Sequence, residues 1–183
     1  AHSSLSDYLN GGRQHGDKLL LQYQESTWSF KEFYTAADRL SHWLVTEGNI
    51  TAGTPVAIAM RNRPEWLIAF VAIINVGGIA VPLNSWGKSA ELEQGLEDSH
   101  AALLICDAPR WKYVQESNRI VSALIVDGDA SGPQQPDFHD VIRANWTGSI
   151  TPPAIDTQTP AILLFTSGTS GRPKGVMLSH FNC

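Results

Sequence analysis

The chain has 183 residues, a formal net charge of −5, 43% hydrophobic residues and 17% charged ones. That length buries one sizeable core, the composition fits a soluble globular protein, and an acidic balance with no basic block argues against nucleic acid as the main partner. The cysteines, Cys106 and Cys183, are too few for a disulfide framework or a metal cluster, which fits a reducing cytoplasm.

In chain order, residues 1–4 lack the charged-then-apolar pattern of a signal peptide. Residues 19–23 read as a short strand and residues 24–27 as a turn. A helix follows with clear start signals. Ser29 and Glu32 have capping-box spacing, and Trp28 and Phe33 are placed as a hydrophobic staple. Phe30, Phe33, Ala37, Leu40 and Leu44 share one face, and Gly48 is a natural stop. Tyr34 and Trp43 on this helix read as core packing rather than a ligand-stacking pair.

Residues 56–60 read as a strand. Pro64 suits a first helical position, and Glu65 favours the positive end of the helix dipole. The helix over residues 64–76 is apolar on nearly all sides and is therefore expected to be buried. Gly77 and Gly78 end it, and residues 79–83 give another strand. Strand, helix and strand in this order predict parallel pairing in an α/β sheet. Residues 66–83 are long enough to span a bilayer, but Asn75, Gly77, Gly78 and Pro82 interrupt them, so no membrane span is expected. Arg61 and Arg63 read as parts of a solvated loop.

Residues 89–98 read as an acidic exposed helix with Ser89 as its cap. Glu91, Glu93, Glu97 and Asp98 there form a solvated face rather than a metal site. Residues 102–106 form a strand that buries Cys106, residues 107–109 turn the chain, and residues 111–121 are helical. A strand over 123–126, a turn-rich stretch, a short helix over 138–144 and a Pro-rich connector over 148–160 follow. The strand over 161–166 needs a sheet to join. His2, His15, His42, His100, His139 and His180 are scattered without metal-ligand spacing; His180 is assigned a local structural role. The alternation predicts an α/β fold, a mostly parallel sheet with helices on both faces.

The apolar run at Leu163, Leu164 and Phe165 ends in Thr166-Ser167-Gly168-Thr169-Ser170-Gly171-Arg172-Pro173-Lys174-Gly175-Val176. Glycines let the backbone approach a ligand closely, and successive N–H groups in such a bend form an anion nest. The hydroxyls add donors, and Lys174 adds a mobile point charge suited to a terminal phosphate. The stretch therefore reads as a polyphosphate holder. It is not a Walker A loop, because Lys174 lies between Pro173 and Gly175. Residues 176–178 read as a second short strand. An ordinary surface hairpin shares the Ser, Thr and Gly content, but the whole string favours the phosphate reading.

This string resembles the phosphate-loop signature of the adenylate-forming superfamily: acyl-CoA synthetases, luciferases and the adenylation domains of peptide synthetases. Asn62-Arg63-Pro64-Glu65-Trp66 and Gly78-Ile79-Ala80-Val81-Pro82-Leu83-Asn84 are similar in kind and order to scaffold segments of the same family. The resemblance implies that residues 1–183 are a partial N-terminal AMP-binding domain ending just after the phosphate loop, with the C-terminal domain and the rest of the chain elsewhere. It implies that ATP activates a carboxylic acid, fatty or other acyl, to an acyl-adenylate, which then passes to coenzyme A. It implies phosphate contacts from Thr166, Ser167, Gly168, Thr169, Ser170, Gly171 and Lys174, with Lys174 catalytic and Thr166 a Mg2+ ligand. Arg172 carries less weight, because that position varies in the family. Two alternatives stay open: an adenylation module that loads a carrier protein, and a non-catalytic nucleotide or anion binder.

Overall fold

Ser29 opens a long helix by the exchange its side chain allows. Its Oγ accepts the Glu32 N–H at 3.2 Å, and the Glu32 carboxylate accepts the Ser29 N–H at 2.8 Å. The structure, a computed structural model, describes residues 4–117, 121–128, 135–147, 153–166 and 173–183. Its elements run α1 (Leu5–Asn10), a 3-10 turn (Gly11–His15), β1 (Leu19–Tyr23), β2 (Ser26–Ser29) and α2 (Phe30–Thr46). Next come β3 (Pro55–Ala59), α3 (Pro64–Asn75), β4 (Ile79–Pro82), α4 (Ser89–Ser99) and β5 (Leu103–Asp107). The rest are α5 (Ala108–Glu116), β6 (Ala123–Val126), α6 (Phe138–Arg143), β7 (Pro160–Thr166) and β8 (Lys174–Ser179).

A six-stranded sheet has the order β6-β5-β3-β4-β7-β8. Every pairing from β6 to β7 is parallel, and β8 runs antiparallel to β7. Period-two alternation along the strands sends neighbouring residues to opposite faces. Val56, Ile58, Leu103 and Ile105 join one core with residues of α2, α3 and α6, including the fully buried Leu40, Ile73 and Phe138. Ala57, Ala59, Leu104 and Cys106 join a second core with Leu92 and Leu96 of α4 and Val114 of α5. Helices thus cover both faces, as the alternating pattern predicts. Tyr34 and Trp43 are buried in the first core.

The interrupted apolar stretch is α3, a turn and β4, and no described helix is long and apolar enough to cross a membrane. Gly77 makes that turn at φ +74°, and a Cβ there would meet Pro153 Cγ at 3.0 Å and Ala52 Cβ at 3.2 Å. Gly77→Val is expected to lose about 1–2 kcal/mol from the left-handed backbone alone, with crowding added. Urea unfolding checks this, and an unchanged midpoint would contradict it.

Three local expectations need correction, and one short helix is additional to them. Ser26 and Thr27 belong to β2, which pairs antiparallel with β1 as a hairpin; a polar stretch turns only at Gln24 and Glu25. The cap of α4 is Lys88 rather than Ser89. The Glu91 carboxylate accepts the Lys88 N–H at 3.2 Å, while Ser89 Oγ donates to Glu116 at 3.0 Å. The helix expected over 111–121 is α5, which begins at Ala108 because Asp107 caps it and Pro109 fits its first turn, and which ends at Glu116. α1, missed from sequence, has its own capping box between Ser4 and Asp7.

Candidate functional site

β7 and β8 form a hairpin whose last facing pair is Thr166 and Lys174. Thr166 Oγ1 donates to the Lys174 carbonyl at 3.4 Å, so the two ends of the predicted loop are held side by side. Both residues are exposed, and the Lys174 ammonium has no ion pair among the described residues. Ser167, Gly168, Thr169, Ser170, Gly171 and Arg172 lie outside the described residues. The strand expected at 176–178 is present as the centre of β8.

The hairpin is tied down at its other end. The His180 N–H donates to the Thr159 carbonyl at 3.0 Å, and the Phe181 N–H to the Thr157 carbonyl at 2.8 Å. His180 is 2% exposed, and its Nδ1 has no hydrogen-bond partner among the described residues. Burial lowers its pKa from the ordinary 6.5, with the nearby Asp7 charge working in the opposite direction. The folded state therefore favours the neutral ring. Its contribution to stability is complete above the unfolded pKa and is lost as pH falls through the folded value. Stability should drop as pH falls from neutral through and below the ordinary 6.5, and His180→Gln should flatten that slope. Denaturation midpoints across the range check this; identical slopes in the two proteins would contradict it.

The carboxyl ends of the parallel strands carry two ionic clusters. Arg63 was expected in solvent. Its side chain is only 16% exposed, and it bridges Glu65 and Asp127, each at 2.7 Å. Burial works against the Arg63 charge, but the hydrogen bonds to Glu65 and Asp127 win and push its pKa up. Burial likewise opposes the Asp127 charge, yet its bond to Arg63 brings the carboxyl below its usual range. His139 Nε2 completes the group, 3.2 Å from Asp127 and 3.6 Å from Glu65. This cluster joins the end of β6 to the starts of α3 and α6.

In the second cluster, buried Arg110 donates to the Ser85 carbonyl from Nε at 2.9 Å and from Nη2 at 2.6 Å, and from Nη1 to Asp107 at 3.2 Å. Asp107 also accepts the Arg61 N–H at 3.2 Å. The Arg61 guanidinium, also expected in solvent, lies 3.1 Å from the centroid of the exposed Trp86 ring. Asp107 and Arg110 are three residues apart, but Ser85 lies 25 residues from Arg110 and Arg61 lies 46 from Asp107, so nothing in either local stretch announces those two partners.

Cys106 behaves as a core residue; burial pushes its thiol pKa far up, with Asp107 adding to the effect. Cys106 and Cys183 are both free. Among the described residues no group of three or more His, Cys, Asp or Glu side chains is placed to hold a metal ion.

A family profile described as AMP-binding enzyme matches residues 10–183. The N-(5-amino-5-carboxypentanoyl)-L-cysteinyl-D-valine synthase of Penicillium rubens is 26% identical over 176 residues, covering 94% of this chain and 4% of its own. The crotonobetaine/carnitine–CoA ligase of Shigella flexneri is 29% identical over 161 residues, covering 85% of this chain and 31% of its own. Among solved structures, an anthranilate CoA ligase in complex with anthranoyl-AMP shares the fold with a TM-score of 0.86 at 24% identity, over 98% of this chain and 35% of that one. The chain thus spans a minor part of the length of each of these relatives.

Proposed function

Because the chain belongs to the AMP-binding enzyme family, we propose that it is the N-terminal part of a longer ATP-dependent acid–thiol ligase. The carboxylate of a fatty or other acyl acid attacks the α-phosphorus of ATP. A carboxyl oxygen–phosphorus bond forms, the bond to the β-phosphate breaks, and pyrophosphate leaves an acyl-adenylate behind. The thiol of coenzyme A then takes the acyl group and releases AMP. Carboxylic acid, ATP and coenzyme A are the small-molecule partners, and the reaction belongs in the cytoplasm, in acyl or fatty acid metabolism.

The observation that carries this reading is the pairing of Thr166 with Lys174 across the Ser-, Thr- and Gly-rich string. Such a string closed by a hairpin supplies N–H and hydroxyl donors to the β,γ-phosphates. Ser167, Gly168, Thr169, Ser170 and Gly171 are proposed as those donors. Lys174, exposed at the first position of β8, neutralises charge that builds on the leaving pyrophosphate. Thr166 spends its hydroxyl proton on the Lys174 carbonyl, which leaves oxygen lone pairs that suit a hard cation. Thr166 would therefore hold Mg2+, which supplies charge neutralisation on the phosphate oxygens when bound.

A second acceptor is favoured by one observation. The Penicillium synthase matches 176 residues over only 4% of its length, which leaves room for many further domains, a thiol carrier among them. Acid-dependent exchange of labelled pyrophosphate into ATP tests the first half-reaction, and its absence with every carboxylic acid offered would overturn the reading. Product analysis with coenzyme A or a carrier thiol then separates the two acceptors.

A further inference from the structure

Facing residues of β7 and β8 share a face of the sheet. Thr166 and Lys174 lie on one face with Leu164 and Val176, and Phe165 and Gly175 lie on the other with Leu163 and Met177. Gly175 thus follows Lys174 directly but is set toward the opposite side. The space a side chain would fill there is already taken. A Cβ at position 175 would lie 3.1 Å from Leu163 Cδ1 and 3.5 Å from Phe165 Cε1. The first distance is well inside the best separation for two carbons. An aromatic ring over a glycine of an edge strand restores packing that the glycine lacks, and Phe165 stands directly opposite Gly175.

The two strands are not held equally. Leu163 and Phe165 pack against the second core, and β7 pairs with β4 on its other side. β8 is last in the sheet and pairs only with β7 among the described residues. The bond from Thr166 Oγ1 to the Lys174 carbonyl, at the start of β8, is long at 3.4 Å. A side chain added at 175 therefore shifts the start of β8, and Lys174 with it, rather than β7. The crowding arises on the face away from Lys174, where protein and not ligand fills the space.

We propose that Gly175 is a positioning residue for Lys174: its missing side chain lets Leu163 and Phe165 close over β8, which fixes Lys174 opposite Thr166. This role rests on the nucleotide reading of Lys174. It goes further by assigning the bare backbone at 175 to packing within the hairpin. A shift of about 1 Å in a catalytic group is enough to lower a rate about 10²-fold.

The test compares Gly175→Val, Leu163→Ala and the two together. In the 183-residue chain, amide hydrogen exchange at the start of β8 is expected to quicken at least about tenfold in Gly175→Val, and to slow again when Leu163→Ala makes room. In the active enzyme, acid-dependent pyrophosphate exchange is expected to fall about 10²-fold in Gly175→Val, with the KM for the acid nearly unchanged. The double variant is expected to be at least about tenfold faster than Gly175→Val. A purely structural role predicts the reverse order, because Leu163→Ala removes core packing and makes the double variant the worst of the three. A double variant no faster than Gly175→Val would overturn the proposal and return position 175 to close approach of a ligand. Unaltered amide exchange in Gly175→Val would overturn it as well. A parental rate in Gly175→Val beside a slowed Lys174→Ala would overturn this role alone, whereas parental rates in both would overturn the nucleotide reading and this role with it.

Discussion

Lys174→Ala in the active enzyme is expected to slow formation of the acyl-adenylate by about 10²–10³-fold, with a much smaller change in affinity for the acid. The cause is positional. Lys174 opens β8 opposite Thr166, at the mouth of the hydroxyl-rich string. It has no carboxylate partner among the described residues, so its charge is available to a ligand. A cation there does little for an uncharged part of the substrate and most for the pyrophosphate as its bond to the α-phosphorus breaks. The signature is therefore a fall in kcat with acid binding nearly intact. Pyrophosphate release measured beside acid affinity separates the two, and an unchanged release rate would remove Lys174 from the chemistry. Lys174→Arg tests the same claim more finely. It keeps the charge but changes its shape, and should retain more of the rate than alanine does.

Arg110→Ala is expected to cost about 3–5 kcal/mol of folding stability, the usual penalty for breaking a buried ion pair from one side. Arg110 is 7% exposed and Asp107 4% exposed. Without the guanidinium, Asp107 keeps the Arg61 and Arg110 N–H groups but loses its counter-charge. The Ser85 carbonyl loses both of its donors from Arg110. The segment after β4, the end of β5 and the end of β3 would all loosen together. Urea unfolding measures the loss, and a change below about 1 kcal/mol would show that the cluster is ornamental to folding. Adding Asp107→Asn to Arg110→Ala should cost less than the sum of the two single changes, because the second removes the charge the first left stranded.

The fold was legible where local chemistry and tertiary structure agree. Ser29 and Glu32 announce α2, and the same two residues make its cap. Pro64, Gly77 and Gly78 bracket α3 in the sequence and bound it in the structure. The alternation of apolar runs foretold parallel strands, and the split of Val56 and Ile58 from Ala57 and Ala59 onto two cores is the same alternation seen in space. What was illegible depends on distance along the chain. Arg63 finds Asp127 across 64 positions, and Asp107 receives Arg61 across 46. No local rule distinguishes those arginines from solvated ones. β2 was obscured because all its residues but Trp28 are polar and acquire strand character only by pairing with β1. α1 was missed because six residues are too short for a periodic apolar face, although its Ser4 and Asp7 cap follows a known spacing. At the candidate site, glycine, hydroxyl and lysine types are legible because phosphate binding needs them whatever the surrounding fold. The clusters at the strand ends were not, because their chemistry is made by topology.

The most direct test of the nucleotide reading exploits the hairpin. Thr166 and Lys174 already face each other, so an Asn-Gly turn in place of residues 167–173 closes β7 onto β8 with little strain. Acid-dependent pyrophosphate exchange in the active enzyme carrying that replacement should fall to background while its unfolding midpoint stays near that of the parent. Exchange at the parent rate would contradict the assignment of this loop to the phosphates of ATP.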